Sequence, residues 1–188
     1  MVVTNKLVEI RWHGRGGQGA VTSAELLARA AINEGKYAQA FPSFGPERRG
    51  APVLSFVRIS NEQIRIRSEI TEPDVVVVLD PSLLRMINVT SGLKDDGTLV
   101  INTRKSAKEI KTEFHIKQRL ATVDATKIAR EILGVPITNT TMIGALLKAT
   151  DVVDLESLVE PVKERFHRLA DKNINTMKKA YEETKVKE

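Results

Sequence analysis

Leu7-Val8-Glu9-Ile10-Arg11-Trp12-His13-Gly14-Arg15-Gly16-Gly17-Gln18-Gly19 is the stretch from which the rest of the chain is read. Leu7–Trp12 is short and apolar-rich, as a strand is. Gly14–Gly19 fits G-x-G-x-x-G. Ala20 to Asn33 is rich in Ala and Leu, with Leu26, Leu27, Ala30 and Ala31 on one face at helical spacing and Gly35 as the stop. Strand, glycine loop and helix in that order open a parallel α/β sheet.

Working outward, Tyr37–Phe41 reads as a second strand. Pro42–Pro52 is irregular and holds two Gly and three Pro. Val53–Ile59 and Gln63–Arg67 alternate around Ser60-Asn61-Glu62, which predicts a hairpin. Val75–Leu79 is an unbroken apolar run suited to a strand buried on both faces, with a helix from Ser82. Asp95-Asp96-Gly97 is a turn, Thr98–Asn102 a further buried strand and Leu120–Val123 another. From Thr126 the pattern is helical over Ile128–Leu133, Thr140–Lys148 and Leu155 to about Tyr181. The expectation is one α/β domain over 1–188. It has a mainly parallel, Rossmann-like sheet flanked by helices, an antiparallel hairpin at one edge and a helical C-terminal end, with residues 183–188 frayed.

Composition narrows the chemistry. With 188 residues and 41% hydrophobic side chains, a packed core can form. No cysteine is present, which excludes a disulfide framework, a thiolate zinc site, a cysteine nucleophile and an iron–sulfur cluster held by this chain. His13, His115 and His167 are too scattered to suggest a metal. No apolar run is long enough to span a bilayer and no signal-peptide pattern opens the chain, so a cytoplasmic protein is expected. The net charge is +5, and its surplus lies early: residues 1–70 hold 10 Lys/Arg against 6 Asp/Glu. Without like-charge runs or aromatic platforms, the chain does not read as a nucleic-acid binder.

Glycines in a βα loop let a phosphate reach backbone N–H groups, and the helix N-terminus favours an anion. Arg15 adds to that attraction. The same glycines also suit a plain tight turn with close helix–sheet packing, and both readings stand. A dinucleotide site lacks its carboxylate: Tyr37-Ala38-Gln39-Ala40-Phe41 has none, and Glu34 belongs to the preceding helix. A Walker A loop is excluded, since no Gly-Lys-Ser/Thr follows. In Phe41–Pro52, the adjacent Arg48 and Arg49 suit phosphate or carboxylate, or an acidic partner surface, and the loop is expected to face the glycine loop across the strand C-termini. Asp80 ends a buried strand, where functional residues often sit, and reads equally as a helix cap beside Pro81. His13 reads as orienting the loop, Asn139-Thr140-Thr141 as capping and Gly144 as a close contact. No self-contained catalytic set stands out.

Glu9–Ala20 resembles the opening of the gamma subunit of 2-oxoacid:ferredoxin oxidoreductases. Gln39–Val53 is similar to the version found in the pyruvate enzymes of that family, and Pro73–Asp80 and Asn139–Leu147 resemble segments of the family in general, so the likeness spans roughly residues 7–165. The resemblance implies an enzyme that decarboxylates pyruvate on thiamine diphosphate with Mg, passes electrons through [4Fe–4S] clusters to ferredoxin and makes acetyl-CoA. The alpha, beta and delta subunits would hold thiamine diphosphate and clusters, and the gamma chain no redox centre. It further implies coenzyme A phosphates at Gly14, Arg15, Gly16, Gly17, Gln18 and Gly19, with Ser43, Arg48 and Arg49 as further candidates. Alternatives are a gamma chain serving a 2-oxoisovalerate or 2-oxoglutarate enzyme, a purely structural subunit and, more remotely, an NAD(P)-dependent oxidoreductase.

Overall fold

The computed structural model describes residues 7–43 and 50–188. Its strands are β1 (Val8–Arg15), β2 (Tyr37–Pro42), β3 (Pro52–Ser60), β4 (Val75–Val78), β5 (Thr98–Asn102), β6 (Arg119–Val123) and β7 (Lys185–Lys187). Its α-helices are α1 (Ala20–Asn33), α2 (Leu83–Met86), α3 (Ala107–Phe114), α4 (Ala125–Leu133), α5 (Asn139–Ala149), α6 (Val159–Phe166) and α7 (Ala170–Glu183).

The strands form one sheet in the order β2-β3-β1-β4-β5-β6-β7. β1, β4, β5 and β6 pair in parallel, while β3 is antiparallel to both β1 and β2 and β7 is antiparallel to β6. Among the described residues, five of the seven strands therefore run one way. β4 shows why the middle reads as a continuous apolar run: Val75 and Val77 face one core, Val76 and Val78 the other, and all four are buried. The first core is closed by α1, α4, α5, α6 and α7 through side chains such as Leu27, Ile128, Ile143, Val162 and Met177. The second is closed by Leu83 of α2 and Ile110 of α3.

α1 begins and ends where its sequence predicts. Gly19 and Gly35 flank it with φ of 81° and 80°, and the N–H groups of Gly35 and Lys36 close the last turn onto Ile32 and Ala31. The expected hairpin is replaced. β3 pairs with β2 on one side and β1 on the other, so neither of its edges is free for Gln63–Arg67, which forms no strand. The edge hairpin is β2–β3 instead. The tail expected to fray forms β7, where Val186 pairs with Ala121 and packs on the core. The single long C-terminal helix is divided by a 3₁₀ turn at His167–Leu169, with His167 at φ 47°.

Candidate functional site

The C-terminal ends of β1 and β4 carry the glycine loop. Gly17 and Gly19 have φ of 91° and 81°, in the left-handed region that favours glycine. A Cβ on Gly19 would also lie 2.8 Å from Nδ2 of Asn139, so close approach and backbone conformation both demand glycine there. α1 starts without a side-chain cap and without an acidic residue in its first turn. The N–H groups of Ala20, Val21 and Thr22 have no acceptor among the described residues. They sit beside an open groove of about 390 Å³ lined by Arg15, Gly16, Gly17, Gly19, Thr22 and Val53, among others. Unpaired donors at a helix start, with the partial positive charge of the helix, form a preorganised place for an anion.

Arg15, expected to add to that attraction, lines the groove, but its guanidinium is bonded to neighbouring connections. Its Nε donates to Oδ2 of Asp80 at 2.8 Å, Nη1 to the Gly50 carbonyl at 3.0 Å, and Nη2 to Oγ of Ser82 at 2.7 Å and Sδ of Met86 at 3.0 Å. Gln18 completes the lock: its Oε1 accepts from the Arg15 N–H at 2.7 Å and its Nε2 donates to Asp80 at 3.2 Å. Asp80 is therefore a hub rather than the expected cap: Ser82 holds the N-cap position of α2, and Asp80 Oδ1 accepts from the N–H and Oγ of Ser82. Burial pushes the Asp80 carboxyl up, but the Ser82 bonds and then those from Arg15 and Gln18 outweigh it and hold it below the usual carboxylate range.

Loop residues from the second connection do meet the glycine loop. The Gly16 N–H donates to the Ala51 carbonyl at 3.0 Å, and the Gly50 N–H to the Gly16 carbonyl at 3.4 Å. Ser43 extends the β2–β3 pairing through its N–H to the Leu54 carbonyl, and its Oγ donates to Glu69 at 2.8 Å rather than to the glycine loop. Arg48 and Arg49 lie outside the described residues.

His13 is buried on the face of the sheet that also carries Arg11. Its Nε2 accepts from Arg11 Nε at 3.0 Å. Burial and then the Arg11 charge push it down to about 3, so the ring is neutral and orients rather than titrates. Asn139 caps no helix end: Thr138 holds the N-cap position of α5, and Asn139 packs against Gly19 while Ser23 Oγ donates to its carbonyl at 3.2 Å. Thr140 is bonded to Asn173 at 2.8 Å. A Cβ on Gly144 would lie 2.0 Å from the Met177 carbonyl oxygen, so Gly144 marks a close approach of α5 and α7. Glu34 accepts from Lys36 and from the Asp154 N–H and is not placed for a ribose. With β3 between β1 and β2, the end of β2 is two strand spacings, about 10 Å, from the glycine loop, unlike the neighbouring arrangement a dinucleotide fold needs.

Asn102 was not singled out by its local pattern. Its Nδ2 donates to the Leu79 carbonyl and to Oγ1 of Thr126, and its Oδ1 accepts from the Thr126 N–H, so it ties the tops of β4, β5 and α4 together. Its signal was a polar amide closing an apolar strand.

The sequence pattern of the pyruvate ferredoxin/flavodoxin oxidoreductase family matches residues 9–183. The chain is 57% identical over 182 residues to the pyruvate/ketoisovalerate oxidoreductases common subunit gamma of Pyrococcus furiosus, covering 96% of this chain and 98% of that one. It is similar in structure to the pyruvate oxidoreductase subunit PORC of Thermotoga maritima, with a TM-score of 0.87 at 39% identity over 97% of this chain and 99% of that one. A 2-oxoglutarate:ferredoxin oxidoreductase from Magnetococcus marinus, with 2-oxoglutarate, coenzyme A and succinyl-CoA bound, shares the fold: TM-score 0.73, 19% identity, 94% of this chain and 30% of that one. A family pattern over nearly the whole chain, a relative matched end to end and the same sheet in a solved homologue agree. The chain belongs to the pyruvate ferredoxin/flavodoxin oxidoreductase family, as a gamma-type subunit.

Proposed function

We propose that this chain works in a multi-subunit pyruvate:ferredoxin oxidoreductase, where it binds the phosphates of coenzyme A and braces the complex. In that reaction pyruvate loses CO2, two electrons pass to ferredoxin and the acetyl group ends on the coenzyme A sulfur. Thiamine diphosphate in partner subunits would supply the carbanion chemistry and iron–sulfur clusters the electron path, a division that suits a chain without cysteine. The alpha, beta and delta subunits are the partners this reading requires. The relatives' names support pyruvate as substrate, with ketoisovalerate a second one for a shared gamma chain.

The observation that carries the ligand assignment is the start of α1. Ala20, Val21 and Thr22 offer unpaired N–H groups to an open groove, and glycines at 16, 17 and 19 keep side chains out of it. These residues fit a phosphate, which needs several convergent donors and no nearby carboxylate. Gly14 and Gln18 shape the loop, and Arg48, Arg49 and Ser43 remain candidates on the second connection. Arg15 is engaged with Asp80, Ser82, Gly50 and Met86 and so joins the ends of β1 and β4 within the chain.

Thr22→Glu in the assembled enzyme tests the assignment. A carboxylate in the first turn suits the helix dipole and leaves the fold intact, yet repels a phosphate. The expected result is a KM for coenzyme A raised about tenfold or more, with the pyruvate KM and the melting temperature unchanged. An unchanged coenzyme A KM would overturn it. Replacing Arg48 and Arg49 with Ala separates the second connection's roles: a raised coenzyme A KM in an intact complex marks ligand contact, and lost assembly marks bracing.

A further inference from the structure

Gln63-Ile64-Arg65-Ile66-Arg67 alternates like a strand, but it pairs with no strand among the described residues. We infer that this segment is a preformed docking strand for an extended, acidic segment of another subunit.

The segment is held in place without being consumed. Upstream, the Glu62 N–H donates to Ser60 Oγ at 3.0 Å as the chain leaves β3. In the middle, Gln39 Nε2 of β2 donates to the Ile64 carbonyl at 3.1 Å. Downstream, Glu69 accepts from Ser43, and Ile70 is buried. Between these anchors the backbone runs without a bend from Gln63 to Arg67. The N–H and C=O groups of Arg65, Ile66 and Arg67 have no hydrogen-bond partner among the described residues. A tethered run of open backbone donors and acceptors is what strand addition uses.

The side chains select the occupant. Arg65 and Arg67 are two residues apart, so along an extended chain they lie on one side about 7 Å from each other. Both are exposed, and neither makes an ion pair with a described residue. Glu69, the nearest downstream carboxylate, is engaged by Ser43. Ile66 is 46% exposed and offers an apolar contact on the opposite side of the extended segment. A second copy of this chain fits poorly, because antiparallel self-pairing would set arginines opposite arginines. Carboxylates at alternate positions of a different chain complement the pair. This inference rests on the chain being a subunit of a larger enzyme.

Hydrogen exchange on the isolated full-length chain and on the purified complex tests it. The amides at Arg65, Ile66 and Arg67 are expected to exchange freely in the isolated chain. In the complex, alternate ones among them should slow by about 100-fold. Arg65→Glu with Arg67→Glu should leave the melting temperature of the isolated chain unchanged, lower recovery of the complex at least tenfold and remove its sensitivity to salt at this contact. Equal, fast exchange of these amides in an intact complex would overturn the docking strand alone. Protection that appears in the isolated chain as its concentration rises would replace the partner with a second copy. A natively purified chain without other subunits would overturn the subunit reading and the docking strand together.

Discussion

At the residue scale, Asp80 shows how one carboxylate organises a loop. It takes bonds from Ser82, Arg15 and Gln18, which stand two and more than sixty positions away. Asp80→Asn should loosen this hub and cost about 1–3 kcal/mol of stability. The pH dependence has a defined sign. A carboxyl held below its ordinary value contributes fully above about pH 4 and loses that contribution as the pH falls through the folded value. Thermal melts of the wild type should therefore fall more steeply in acid than those of Asp80→Asn. His13 adds a second window. With its folded value at about 3 and its unfolded one near 6.5, the unfolded chain takes up the proton first, so stability is lost as pH falls between those values. His13→Gln should flatten the slope there. The glycine motif was legible because glycines at fixed spacing after a strand have few other uses. The capture of Arg15 by Asp80 was not, because nothing local in either residue names its partner.

At the scale of elements, a segment was readable where its own periodicity settled its state. α1 and β5 occupy the predicted residues, Ala20–Asn33 and Thr98–Asn102. α3 escaped the periodicity reading because it is short and largely polar, although Ser106 and Glu109 form a capping box that marks its start. Ser106→Ala should cost about 1 kcal/mol, read by chemical denaturation. Gly144 belongs to the same scale, since it governs how two helices meet. Gly144→Ala would drive a methyl into the Met177 backbone and push α5 from α7, with an expected loss of about 3 kcal/mol and a lower unfolding midpoint. A glycine in a helix signals close packing in sequence, but only the fold names the backbone it meets.

At the scale of the whole molecule, strand order decides what each element becomes. β1, β4 and β5 lie inside the sheet and are buried on both sides, whereas β2 and β7 form its edges. Amides of β4 and β5 should therefore exchange at the slowest, global rate and those of β7 orders of magnitude faster, a gradient that hydrogen exchange measures directly. Periodicity, glycine spacing and the absence of cysteine depend on residues a few positions apart or on composition alone. Fold class, most elements and the glycine turn between β1 and α1 could thus be read from the chain. The insertion of β3 between β1 and β2, the pairing of the tail with β6, the commitment of Arg15 and the exclusion of Gln63–Arg67 from β3's edges arose only in three dimensions. Each depends on which edges and side chains meet across dozens of residues, and that choice is made by the packing of the whole sheet rather than by any local preference.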